Sequence, residues 1–172
     1  MNIEELKEGT EQARHSGEKA IGLTMAIVAV LLAIAGLLSH RTHTKEIVLQ
    51  TKVNDEWGYY QAKNIRSHMY AADAKLAALM NSKELAADFL KDSDKQRKEA
   101  DDIRKEAEAL DKETKMLEHR ASFYDASDLF LEVSIVLCSI ALLAEMKRFW
   151  KLSFITTLVG VVIALWALTA LQ

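Results

Sequence analysis

The side chains with chemistry to offer are few: five histidines, one cysteine, and two glutamates at the borders of an apolar run. His40 and His43 stand one helical turn apart, a spacing at which paired imidazoles bind metal or titrate near neutral pH. No third ligand lies close in sequence, so no metal site is expected. His15, His68 and His119 belong to no pattern. Cys138, alone, can form neither an internal disulfide nor a cysteine-built metal centre. Glu132 and Glu145 flank the uncharged stretch Val133 to Ala144. A carboxylate at membrane depth is a functional candidate. Glu132 would line the mouth of a conduit if helices formed a ring, whereas Glu145 is placed to pair with Lys147 or Arg148. Trp57, Tyr59, Tyr60 and Tyr70 could stack on a ligand, but on a helix such aromatics serve packing more often. The chain lacks a glycine-rich phosphate loop, a His-Glu-x-x-His motif and a nucleophile elbow. Neither an enzyme nor a cofactor is expected.

The elements that would carry these groups are helices. Among 172 residues there are six glycines and no proline, too few turn formers for a sheet-rich fold. Half of the residues are apolar and 27% are charged, and the two kinds are segregated along the chain. The net charge of −3 gives no field that would attract nucleic acid, which is therefore not an expected partner.

The fold class read from this pattern is an all-α membrane protein with three transmembrane helices. A long extramembrane antiparallel helical hairpin, coiled-coil-like, lies between the first and second. Ala20 to Ser39 contains no charge and, at 1.5 Å per residue, makes ~30 Å of helix, the thickness of a bilayer core. Residues 152–172 form a second such run, and 129–146 a shorter one joined to it by the basic-aromatic link Lys147-Arg148-Phe149-Trp150-Lys151. The acidic character of residues 1–19 (Glu4, Glu5, Glu8, Glu11, Glu18) argues against a cleaved signal peptide, despite the tripeptide Ala33-Ile34-Ala35. The short basic link places itself in the cytoplasm. The amino-terminal tail follows it there, and residues 40–128 fall outside an inner membrane. Phe123, Tyr124, Phe130, Phe149 and Trp150 read as interfacial anchors.

Residues 40–128 hold sixteen basic and eighteen acidic residues. Asn81-Ser82-Lys83-Glu84 and Ser93-Asp94-Lys95-Gln96 have the spacing of capping boxes. They predict a long helix to about Met80, a short one from Lys83 to Leu90, and another long one from Asp94. Ile103, Ala107, Leu110, Thr114, Leu117, Ala121 and Tyr124 step by four and three, as in a coiled-coil seam. Gly58, Ala62, Ile65, Met69, Ala72, Leu76 and Leu79 do likewise. Equal rise from the membrane sets Ile65 against Ile103, Ala62 near Ala107 and Gly58 near Leu110. Asp94/Lys98, Asp101/Lys105, Glu108/Lys112 and Asp111/Lys115 are acid-before-base pairs on a wetted face, each worth about 0.2–0.5 kcal/mol.

Two further stripes bear on assembly. Gly22, Ala26, Ala29, Ala33 and Gly36 form a ladder of small residues suited to close packing of membrane helices. The partner is either another span of this chain or a second copy. Gly160 and Ala164 offer a similar, shorter contact. Continued in register, the first ladder runs through His40, His43, Ile47, Gln50, Asn54, Trp57, Gln61, Asn64 and His68. Seam amides fix coiled-coil register, so this stripe either packs in a homo-oligomer or simply meets water.

The block Trp57-Gly58-Tyr59-Tyr60-Gln61-Ala62-Lys63-Asn64-Ile65, soon after a first apolar helix, resembles the bacterial family catalogued as domain of unknown function 4337. The likeness extends to the acidic tail, the charged helical stretch and the closing apolar hairpin. Gly58 stands where the family usually has alanine. The resemblance implies a membrane protein without an assigned reaction. The functional expectation is thus an anchor in the lipid bilayer that displays a helical hairpin for self-association or for a protein partner. The alternative is a homo-oligomeric channel or transporter component whose axis is lined by the polar stripe and Glu132.

Overall fold

Without proline, nothing in the sequence removes a backbone donor inside a helix, and only turn chemistry stops one. In a computed structural model of the chain, residues 3–169 are described, with side chains from Gly17 onward. Three helices account for nearly all of them: α1 (Ile3–Leu79), α2 (Lys83–Leu143) and α3 (Lys147–Thr169). No strand occurs among the described residues. Residues 170–172, the predicted end of the third span, lie outside them. Each helix is long and apolar enough, by length and composition, to cross a membrane.

The α1–α2 turn has a clear chemical cause. Asn81 takes the left-handed conformation, φ 59°, which asparagine tolerates better than most residues. The Ser82 amide then reaches back to Ala77 O at 3.0 Å and the Asn81 amide to Ala78 O at 3.1 Å, closing the end of α1 in a Schellman arrangement. Ser82 O accepts from the Ala86 amide at 3.0 Å and so begins α2. The first predicted capping box therefore marks a real boundary.

The second does not. Residues 83–143 form one uninterrupted helix, which corrects the expectation of a new start at Asp94. The Ser93 hydroxyl is turned across the hairpin instead, donating to Ser67 O at 2.9 Å, while Ser67 Oγ donates to Ser93 O at 3.1 Å. A cross-helix partner has taken the hydroxyl that would otherwise cap.

By contact density the chain divides into two units, Met1–His43 with Glu118–Gln172, and Thr44–Leu117. In the second unit α2 buries Ala86, Ser93, Ala100, Ala107 and Thr114, every seventh residue and all small. Opposite them α1 buries Val53, Ser67, Ala74 and Ala77. Small residues at the heptad interval let two backbones approach closely, and the reciprocal serine bonds require that approach. Lys63 Nζ spans the seam to Glu99 Oε2 at 2.6 Å.

The predicted α2 series lies on this seam from Ile103 to Leu117, with Ala107 and Thr114 buried, and its last members, Ala121 and Tyr124, are buried in the first unit. The predicted α1 series does not lie on the seam. Ile65, Met69, Leu76 and Leu79 are exposed, on the side of α1 away from α2. Ala62 and Ala72 are exposed with them, and a Cβ on Gly58 would meet nothing within 4 Å. The pairing is also displaced. Ser67 meets Ser93 and Lys63 meets Glu99, so the level of Ile65 falls near Gln96 rather than Ile103. The tight turn at 80–82 sets the register, and it overrides a register reckoned from equal rise out of the membrane.

In the first unit α1, α2 and α3 pack through Ile21, Val28 and Ala35, through Tyr124, Leu131, Cys138 and Ala141, and through Ser153, Gly160 and Ala167. Hydroxyls link α2 to α3. Ser127 Oγ donates to Gly160 O at 2.9 Å, Ser134 Oγ to Ser153 O at 2.9 Å, and Cys138 Sγ to Ser153 Oγ at 3.2 Å. In an apolar medium each of the two bonds donated by a serine contributes roughly 0.6–2 kcal/mol, and the thiol bond less. Trp150 Nε1 donates to Thr24 Oγ1 at 3.2 Å and ties α3 to α1. Tyr124, expected at an interface, is fully buried instead, while Phe123 meets Trp166 edge-on at 4.5 Å.

Candidate functional site

Where α1 and α2 adjoin in the first unit, five side chains form a polar cluster. Ser39 Oγ donates to Asp125 Oδ1 at 2.7 Å, and His43 Nε2 contacts Asp125 Oδ2 at 3.1 Å. Asp128 and Glu132 follow Asp125 along α2 at steps of three and four, so the three carboxyls share a side. Burial works to raise the Asp125 carboxyl. The hydrogen bonds from Ser39 and His43, with the charge of His43, outweigh it and hold Asp125 below the usual carboxylate range. Asp128 is pushed the other way, by burial first and then by the charges of Asp125 and Glu132. Its Oδ1 is buried without a hydrogen-bond partner.

A carboxyl raised by folding favours the folded state only while protonated. That contribution is complete below the unfolded value and is lost as pH rises through the folded one. Asp128→Asn should therefore raise the unfolding free energy in lipid nanodiscs at pH 7 by on the order of 1 kcal/mol. The difference from the unsubstituted protein should shrink as the pH is lowered toward 4, read by thermal melts at the two pH values.

His43 is thus engaged with a carboxylate. No group of three His, Cys, Asp or Glu side chains able to hold a metal occurs among the described residues. Neither Asp125 nor Asp128 stands out in the sequence. The signal that could have found them is their spacing from Ser39 and His43 across a helix pair, which depends on register.

The predicted stripe stays on one side of the unbroken α1. Asn54, Gln61 and His68 are exposed, as is Gln50 apart from a 3.5 Å bond to Asn54 Oδ1. Trp57 and Asn64 are half-buried, Trp57 lying edge-on to Tyr60 at 5.6 Å. Tyr70 stacks on Phe89 at 6.3 Å, so three of the four aromatics have ring partners within the second unit. Glu132 is exposed on α2. In the membrane ladder Gly22, Ala26, Ala29 and Ala33 are exposed and Gly36 half-buried. The other spans of the chain pack one residue away, on Ile21, Val28 and Ala35. Gly160, by contrast, is fully packed. On the wetted side of α2, Lys115 pairs with Asp111 at 2.7 Å as predicted. Lys105 turns to Asp102 and Arg104 takes Glu108, so the choice among neighbours differs while the alternation of sign does not.

A family model described as a domain of unknown function, DUF4337, matches residues 17–170. The chain belongs to the DUF4337 family. No curated protein and no solved structure matches it significantly. The DUF4337 match covers both units, including the aromatic block at Trp57 and the serine-linked α2–α3 pair. The residues that position the polar cluster and those that build the close hairpin seam therefore all lie within the family region.

Proposed function

We propose that this DUF4337 protein is an inner-membrane anchor that presents the 44–117 hairpin outside the bilayer, for self-association or for docking of a protein partner. The single observation that supports it most is the construction of the hairpin. Small residues at every seventh position of α2 and reciprocal Ser67–Ser93 bonds make a stiff pair of helices, with a charged side and an apolar side left outward. Three apolar helices supply the anchor, with the Lys147-Arg148 link in the cytoplasm by the rule of basic loops.

Labelling a cysteine introduced at exposed Lys112, with Cys138 replaced by serine, tests this placement. A membrane-impermeant maleimide should modify it in spheroplasts without lysis. Modification only after the membrane is broken would overturn the orientation. Purified protein in liposomes should leave ion permeability at the level of empty vesicles. Flux that depends on Glu132 would turn the reading to conduction.

A further inference from the structure

The four-three apolar series on α1 is not used within the chain. Ile65, Met69, Leu76 and Leu79 are 58%, 60%, 58% and 81% exposed, with Gly58, Ala62 and Ala72 completing the stripe. Single exposed apolar residues are ordinary. Seven uncharged positions in strict heptad spacing, on a helix otherwise rich in charge, are a contact surface without its partner.

The flanks of the stripe indicate what covers it. Arg66 and Asp73 lie along one edge; Gln61, His68 and Lys75 lie along the other. In a parallel, in-register pair of identical helices, each residue of the second edge faces the residue five positions later on its partner. Gln61 then meets Arg66, and His68 meets Asp73, each twice by symmetry. Lys75 lays its stem beside Met80. No like charges are opposed. An antiparallel pair would bring Arg66 to Asp73 along one edge but set His68 beside Lys75 along the other. Two copies anchored in one membrane also run their first helices in the same direction.

We infer that this α1 face is covered by the same face of a second copy, the two α1 helices parallel and in register from Gly58 to Leu79. The inference rests on the anchor reading above and names its partner. It places Met69 against Met69 and Leu76 against Leu76, core positions whose Cβ atoms come within disulfide reach when replaced by cysteine.

The test uses full-length protein in lipid nanodiscs, Cys138→Ser throughout, with Met69→Cys or, as a control on exposed α2, Lys112→Cys. Mild oxidation should convert most of the Met69→Cys chain to a covalent dimer and leave the Lys112→Cys chain uncrosslinked. Ile65→Asp, with helicity retained by circular dichroism, should shift the mass of the particle from dimer to monomer. A Met69→Cys chain that stays monomeric under oxidation but reacts with a water-soluble maleimide overturns the pairing and leaves the anchor reading standing. One that neither crosslinks nor reacts, in a particle whose mass is that of a monomer, has that face in lipid, and overturns both. Crosslinking between cysteines at positions 65 and 76, without crosslinking at 69, overturns the parallel arrangement in favour of an antiparallel one.

Discussion

Gly160→Leu should detach α3 from α2 and lower the unfolding free energy of the first unit by about 2 kcal/mol or more. A Cβ at Gly160 would sit 3.1 Å from Leu131 Cγ and 3.1 Å from the Ser127 carbonyl oxygen. Leu131 has some freedom to turn, but the Ser127 backbone has none within an unbroken helix, so α3 itself must move. That movement also breaks the bond from Ser127 Oγ to Gly160 O. Alanine at the same place presents a contest of known magnitudes. Helix propensity favours it by ~0.8–1 kcal/mol, while overpacking opposes it by about 1–3 kcal/mol. A modest net loss is the expected result. Gly22→Ala is the control, since a Cβ there meets nothing within 4 Å. It should gain up to about 1 kcal/mol from propensity alone. Denaturant titration in mixed micelles, followed by the fluorescence of Trp150 and Trp166, reads all three.

Ala107→Leu is expected to open the hairpin seam at a cost of about 1–3 kcal/mol, the range for forcing extra methylenes into a packed core. Ala107 has no exposed surface, and its neighbours on the same face, Ala100 and Thr114, are also small and buried. The added side chain has no void to enter, and the helices that the Ser67–Ser93 bonds hold together must part. Ala109→Leu, two residues on and exposed, should leave stability within about 0.5 kcal/mol. Hydrogen exchange at the amides of residues 60–75 separates the variants. Faster exchange for Ala107→Leu and unchanged exchange for Ala109→Leu is the predicted pattern.

Periodicity made the helices legible, and composition identified the three apolar segments without a structure. The end of α1 was legible too, because Asn81 and Ser82 have local reasons to stop one helix and begin another. Pairing was less so. Ile65 and Met69 announce a seam as plainly as Ile103 and Leu110 do, and hydrophobicity alone joins the two. What decides otherwise is residue size. Ala86, Ser93, Ala100, Ala107 and Thr114 favour an approach so close that the larger Ile65 and Met69 face away, and the smaller Ser67, Ala74 and Ala77 turn inward. Ser93 shows a second limit. Its capping signal is local, whereas its actual partner, Ser67, lies 26 residues away in sequence. The Ser39–Asp125 bond, across 86 residues, was out of reach for the same reason.

The predicted α2 series succeeded because four and three spacing there coincides with small size. Where size and hydrophobicity point to different faces, as on α1, the two faces acquire different uses. One closes the hairpin. The other remains for a second helix.

Spin labels placed one at a time along residues 20–169, in protein reconstituted in bilayers, test the central claim most directly. Collision with oxygen and with a water-soluble nickel chelate distinguishes lipid from water at each site. Labels on outward positions such as Leu23, Ile34, Val136 and Leu158 should collide with oxygen, and labels such as Lys105 and Lys112 with nickel, with ordered, helix-periodic spectra throughout 44–117. Fast isotropic spectra over 44–117, or oxygen-dominated collisions at Lys105, would contradict an ordered hairpin in water and three helices in lipid.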